Sequence, residues 1–204
     1  MKYVKWTFVA LFWTLVFAFL HYTLPQHDVA RITDTLESRV NPGENSWFWA
    51  QAETGNDPTA QRDVFFIQTR RADDSVMVYR NEDTGWGWPP YFKFDTANLQ
   101  AEAADLRSTS ATPQWVVIRH YGWRNEFISI YPNAISIREV DSPDVTIIPW
   151  LNIIILVALT AAGWALRVRW MRFWRKRVDP VLDVAGDKLD DGNARLKGLF
   201  QRSN

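Results

Sequence analysis

The chain has 204 residues, no cysteine and a formal net charge of zero. The missing cysteines exclude a disulfide-stabilised domain, so any folded part must be stable through its own core. The zero net charge combines an acidic middle section, with 11 basic against 18 acidic side chains in residues 25–148, and a basic C-terminal section, with 10 against 5 in residues 167–204. An acidic middle section argues against a nucleic-acid-binding domain there.

The first predicted element is an uncharged apolar run over residues 6–24, which follows Lys2 and Lys5 in the short segment of residues 1–5. A helix of this length is about long enough to cross the hydrocarbon of a membrane, with Trp6 at one interface. A cleaved signal peptide is the alternative, but the run is long and no small-x-small cleavage site follows it. We therefore predict an uncleaved membrane anchor.

Residues 25–148 predict a β-rich domain, because apolar and polar side chains alternate there in several runs, as in half-buried strands. The runs are residues 27–40, 63–71, 75–83, 114–123, 126–133 and 134–140. A long loop separates the first two runs and carries an apolar tip of Trp47, Phe48 and Trp49. After the third run, residues 95–108 predict a short helix capped by Asp95 or Thr96. This order suits a small OB-like barrel, although other α+β sheets remain possible.

The loop after the third run, NEDTGWGWPPYFKFD, is the most aromatic part of this domain. Its glycines permit tight backbone turns and its prolines stiffen the exit, so Trp86, Trp88 and Tyr91 are predicted to form a rigid aromatic platform. Glu82 and Asp83 are hydrogen-bond acceptors at its edge. A plug for the barrel end is the favoured interpretation, ahead of a partner or membrane contact and of a small-molecule pocket. We expect the first tryptophan or the tyrosine to pack into the barrel end while other aromatic surface stays exposed.

The segment RHYGWR, residues 119–124, collects side chains suited to anion binding or proton transfer. Strand alternation places Arg119 on one face and His120 on the other. The favoured interpretation is purely structural: an Arg–acid pair beside a half-buried His. If the segment is functional, Arg119, Trp123 and Arg124 are candidate partner contacts. With three His and no Cys in the chain, no metal site is expected, and no cofactor motif is present.

A second apolar run over residues 149–166 predicts another membrane span, and a basic collar follows it directly. Because basic residues near spans mark the cytoplasmic side, both termini are predicted to be cytoplasmic, including the tail of residues 167–204. Trp150, Trp170 and Trp174 are candidate membrane-interface residues, and the collar suits anionic lipid headgroups through Arg167, Arg169, Arg172 and Arg175. Helical spacing from Val178 to Leu189 predicts a partly ordered surface helix.

Three strings in this order, HYTLPQHDVARI, VMVYRNEDTGWGWPPYFKFDTANLQAEA and HYGWRNEFISIYPNAISI, lie between the two predicted spans. With those spans, they resemble the bacterial family catalogued as domain of unknown function 1523, over roughly residues 1–170. The resemblance implies a protein of the proteobacterial inner membrane with a periplasmic domain. The resemblance identifies no catalytic residues.

The sequence carries two functional hypotheses. The first is a non-enzymatic, membrane-anchored periplasmic binding or accessory protein that contacts another envelope or membrane complex. It rests on the concentrated aromatic loop, the two anchors and the lack of any nucleophile-elbow, zinc-protease, P-loop or dinucleotide motif. The alternative is a cell-envelope enzyme that acts on glycan or lipid through acids beside the aromatic loop, such as Glu82 and Asp83.

Overall fold

The computed structural model describes residues 2–40, 48 and 62–179. The chain divides into two units, Met1–Pro149 and Trp150–Asn204, which are treated separately. The first unit contains helices α1 (Lys2–Thr23) and α2 (Thr96–Asp105) and strands β1 (Gln26–Val40), β2 (Arg62–Arg71), β3 (Val76–Asn81), β4 (Trp115–Tyr121) and β5 (Asn133–Val140). The second contains α3 (Trp150–Phe173), which continues into a π-helical turn, Trp174–Val178.

The five strands form a closed barrel in the order β1-β2-β3-β5-β4, and β4 pairs back onto β1. All neighbouring strands are antiparallel except β3 and β5, which are parallel and meet at Arg80 and Asn133. Helix α2 lies between β3 and β4 in the chain, as in the OB-like barrel that the element order predicts, so the α+β prediction is confirmed.

The barrel is filled by branched side chains and one tyrosine, and α2 adds its buried face to the same core. The fully buried members include Ile32, Ile67, Tyr79, Val116 and Ile118, and α2 contributes Leu99 and Ala103. Asp95 caps α2 as predicted, because its carboxylate accepts a hydrogen bond from the backbone N–H of Asn98 at 3.0 Å.

The prediction of a strand over residues 126–133 is wrong. A turn occupies residues 126–129, the first half of this segment, and it is closed by an isolated pair between Asn125 and Ile130. The Asn125 side chain accepts hydrogen bonds from the backbone N–H groups of Phe127 and Ile128, and Ser129 adopts a left-handed φ of 51°. These local bonds replace the pairing that a strand would need.

Two helices are long and apolar enough to cross a membrane, judged by length and composition: Tyr3–Thr23 and Trp150–Arg177. No residue in the most apolar stretch of either helix is buried. The predicted tail helix from Val178 to Leu189 lies almost entirely outside the described residues. The predicted loop of residues 41–61 does too, apart from Phe48, whose ring meets that of Tyr22 at 5.9 Å.

Candidate functional site

The last turn of α1 is joined directly to the end of β4. The ring of Tyr22 packs edge-on against the rings of Tyr121 at 6.2 Å and Trp123 at 5.3 Å. The backbone N–H of Gly122 donates to the Tyr22 carbonyl at 2.9 Å, and the Trp123 indole donates to His21 Nδ1 at 3.0 Å. We call this set of contacts the joint. It holds the helix end against the barrel through both backbone and side chains.

Tyr91 brings the aromatic loop to the same place. Its ring stacks on that of Tyr121, with centroids 4.9 Å apart, and its hydroxyl donates to the backbone carbonyl of Thr23. Burial raises the pKa of Tyr91, so the hydroxyl keeps the proton that it donates. The expectation that a loop tyrosine packs at the barrel end is therefore confirmed, and the loop belongs to the joint.

Both tryptophans of the loop, in contrast, are exposed, Trp86 at 81% and Trp88 at 67%. The ring of Trp86 lies against those of Phe92 at 5.4 Å and Phe94 at 5.6 Å, while Trp88 stacks nearly parallel on Phe19 of α1 at 5.7 Å. All five rings are more than half exposed. We call these five residues the aromatic surface. Tyr91 packs at the barrel end, and neither tryptophan does.

The two acids at the start of the loop have different environments. Glu82 is buried and its carboxylate pairs with the buried Arg80 guanidinium at 2.9 Å. The Asn133 side chain accepts from the Glu82 N–H at 2.9 Å and donates to the Glu82 carbonyl at 3.0 Å. Asp83 is exposed at the surface. The acids that the sequence grouped together therefore point in different directions, and Glu82 is bound within the fold.

The side chain of Lys93 is buried beneath the loop. Its ammonium donates to the Asn81 side chain and, at 2.8 Å, to the Ala134 carbonyl. Its backbone N–H donates to the Thr84 hydroxyl at 3.1 Å. Burial lowers the pKa of Lys93 to about 7, against the attraction of Asp83 and Glu82. The only basic side chain of the loop is thus turned away from the surface.

A second polar cluster centres on the carboxylate of Asp28, which sequence reasoning missed. Its Oδ2 accepts hydrogen bonds from Arg71 at 2.7 Å and from the Tyr79 hydroxyl, and it lies 3.2 Å from Nε2 of His120. The four side chains come from β1, β2, β3 and β4. Burial opposes ionisation of Asp28, but the nearby imidazole of His120 and the hydrogen bonds from Arg71 and Tyr79 outweigh it and hold the pKa of the carboxyl well below its usual range.

In the RHYGWR segment, His120 is buried instead of half-buried, and its ring lies 5.1 Å from that of the core residue Tyr79. Tyr121, the next residue, packs against Tyr22 and Tyr91 at the joint, which agrees with the predicted alternation of faces. Arg119 is partly buried, and Trp123 is 36% exposed. The expected Arg–acid pair is present at Arg124, whose guanidinium lies 3.7 Å from the Glu126 carboxylate. Its guanidinium also lies 4.4 Å above the ring of Tyr131.

A groove of about 640 Å³ lies at the start of β4 and the end of β5, and Trp115, Arg138 and Glu139 are among its lining residues. The joint is at the other end of β4, six residues along the strand. That is a separation of roughly 20 Å at about 3.3 Å per residue. The groove therefore does not include the aromatic surface, Glu82 or Asp83.

In the second unit, the predicted interface residues are exposed along α3 and its π-helical turn. They are Trp150, Arg167, Arg169, Trp170, Arg172, Trp174 and Arg175. The basic collar is therefore helical, and it continues α3 without a break.

Comparisons with known proteins find a bacterial relative that matches over most of both chains. A protein of Haemophilus influenzae, described as an uncharacterized protein, is 38% identical over 176 residues, which covers 85% of this chain and 94% of that protein. No solved structure matches the chain. The family described as "Protein of unknown function (DUF1523)" matches residues 1–174, and the chain belongs to that family.

Proposed function

We propose that this protein is a non-enzymatic binding or accessory protein of the bacterial inner membrane. In this proposal α1 and α3 both cross the bilayer, both termini are cytoplasmic and the barrel lies in the periplasm. The barrel contacts another envelope or membrane complex. The basic collar, the acidic middle section and the exposed apolar surface of both helices support this arrangement.

The joint is the observation that carries the proposal. A domain on a flexible linker samples many orientations, whereas this barrel is tied to the end of α1 by ring packing and by hydrogen bonds from Gly122, Trp123 and Tyr91. A membrane helix would thereby hold the barrel at a fixed height and orientation. Such placement suits recognition of a neighbour at the membrane surface, because less rotational freedom is lost on binding.

The turn that follows the joint offers the contact. Phe127 at its tip is fully exposed and Ile128 is 43% exposed, next to Arg124. Exposed apolar side chains beside an Arg are characteristic of protein-contact surfaces. The enzyme alternative gains no comparable support, because Glu82 is paired inside the fold while Asp83 is exposed, so these two acids do not face each other across a cleft.

The topology is tested by an alkaline phosphatase inserted into the exposed loop of residues 109–113. Activity is expected, because the enzyme folds only in the periplasm. An inactive fusion at this loop, together with an active fusion near the C terminus, would overturn the proposed orientation.

The contact is tested by a photoreactive phenylalanine analogue at Phe127 of the full chain in living cells. We expect a discrete crosslinked protein, purified from native membranes and identified by mass spectrometry. The matched control is the same analogue at Ala101, which is exposed on α2 and should give no such product. Equal crosslinking at both positions, or none at Phe127, would contradict the proposed contact.

A further inference from the structure

We infer that the aromatic surface, Phe19, Trp86, Trp88, Phe92 and Phe94, is a lipid-binding face that enters the outer interface of the bilayer beside α1. The inference rests on the proposed membrane crossing of α1. It assigns the phospholipid bilayer itself as the partner of this side of the barrel.

The position of Trp88 is the first step. Trp88 stacks on Phe19, and Phe19 belongs to the apolar run of residues 6–24. Phe19 precedes the end of α1 at Thr23 by one turn, or roughly 6 Å at about 1.5 Å per residue. The interfacial layer on each side of the hydrocarbon is roughly 5–8 Å thick. When the apolar run of α1 spans the hydrocarbon, a ring stacked on Phe19 lies at the depth of the lipid, close to the outer boundary of the hydrocarbon.

The orientation of the loop side chains is the second step. In the sequence Phe92-Lys93-Phe94, the two phenylalanines are exposed at 53% and 54% while the lysine between them is 8% exposed. A water-facing loop would place these residues the other way round, since exposing rings and burying an ammonium both cost free energy in water. The arrangement suits an apolar environment outside the loop.

The neighbouring surface identifies that environment. Phe17 and Phe19 of α1 are exposed at 68% and 52%, and the aromatic surface continues directly from this part of the helix through the Phe19–Trp88 stack. The lipid that surrounds α1 would therefore also contact Trp88 and Trp86. Indole rings, with an apolar body and one N–H donor, are favoured at the interface depth.

The chain has no cysteine, so single-cysteine variants can be labelled without background. Trp86→Cys and Trp88→Cys, both at exposed positions, receive an environment-sensitive fluorophore in the full-length protein. The protein is reconstituted into vesicles of phosphatidylethanolamine and phosphatidylglycerol. We expect both labels to be quenched by lipids that carry a nitroxide just below the headgroup and to be protected from aqueous iodide.

Two further labels separate the outcomes. Ala101→Cys is exposed on α2, and it belongs neither to the joint nor to the aromatic surface. The fluorescence of this label should be quenched by iodide and not by the nitroxide lipids. Trp13→Cys lies in the middle of α1 and should be quenched by nitroxides deep in the acyl chains. If residue 13 is quenched but residues 86 and 88 respond only to iodide, the lipid-binding face is wrong while the anchor stands. If residue 13 also responds to iodide, the membrane crossing itself is wrong.

A protein partner on this face is the remaining outcome. In that case the labels at residues 86 and 88 would respond to iodide in pure lipid vesicles and become shielded from it only in native membranes. This result would overturn the inference that lipid is the occupant.

Discussion

Asp28 is a single carboxylate on which polar side chains from three other strands converge. Arg71, Tyr79 and His120 all approach the same oxygen, and the Asp28 side chain is 21% exposed. Breaking a largely buried pair of this kind leaves the partner charge without compensation and costs on the order of 3 kcal/mol. We therefore expect Asp28→Asn to destabilise the protein by about that amount at neutral pH, measured by denaturant unfolding of the full chain in detergent micelles.

The same carboxylate predicts a pH dependence with a defined sign. The folded-state pKa of Asp28 lies below its ordinary value of about 3.8. Its contribution to stability is therefore complete above that value and is lost as the pH falls through the folded-state pKa. The unaltered protein should lose this contribution in acid, whereas Asp28→Asn should lack that part of the dependence. Asp74→Asn is the matched control, because Asp74 is 81% exposed in its pair with Arg70 and should change stability by less than about 0.5 kcal/mol. Equal effects of the two substitutions would contradict the role given to Asp28.

At the scale of elements, Gly122 is where β4 turns towards the joint. Its φ of 92° lies in the region that favours glycine, and its N–H donates to the Tyr22 carbonyl. A methyl group at this position would lie 3.6 Å from the Pro132 Cα and 3.7 Å from the Tyr22 ring, which is ordinary contact. The cost of Gly122→Ala should therefore come from the backbone, at about 1–2 kcal/mol.

This prediction is checked by the unfolding temperature of the full chain, followed through its near-ultraviolet circular dichroism. Gly163→Ala is the control, because nothing lies within 4 Å of the added methyl group in α3 and alanine favours a helix. Gly122→Ala should unfold at a lower temperature and Gly163→Ala at the same or a higher one. If Gly122→Ala were as stable as the control, the strained backbone would not matter to the joint.

Elements defined by local contacts could be predicted from the sequence. The cap of α2 depends on Asp95 and Asn98, three residues apart, and the β2–β3 hairpin is closed by Arg71 and Ser75. The turn after Asn125 shows the limit, because its branched and aromatic residues suit a strand but find no long neighbouring strand. Strand preference without a partner does not make a strand.

The site depended on contacts that no local pattern reveals. Glu82 meets Asn133 at a separation of 51 residues, and Lys93 meets Ala134 at 41. The aromatic loop stood out from its composition, yet only the barrel decides that Tyr91 and Lys93 turn inward while Trp86 and Trp88 stay outside. The approach of His120 to Asp28 is equally a result of strand pairing, because Asp28 on β1 pairs with Ile118 on β4.

At the scale of the first unit, the joint makes α1 and the barrel a single body. Several bonds cross it: Gly122 N–H to the Tyr22 carbonyl, the Trp123 indole to His21 and the Tyr91 hydroxyl to the Thr23 carbonyl. Each is worth on the order of 1 kcal/mol, and together they oppose tilting of the helix end against the barrel. In the proposed function, these bonds present the barrel in one orientation relative to α1.

That rigidity predicts a narrow distance distribution between spin labels at Tyr3→Cys and Ala101→Cys, measured by pulsed electron resonance on the full chain in nanodiscs. Both positions are exposed, and α1 separates Tyr3 from the joint by roughly 30 Å of helix, so any swing at the joint is magnified at the label. Adding Tyr91→Phe and Trp123→Phe removes two of the donors and leaves an aromatic ring at each position. This labelled variant should show a broader distribution. If the unaltered joint already gave the broad distribution, the barrel would move independently of α1, and the joint would no longer support the proposed function.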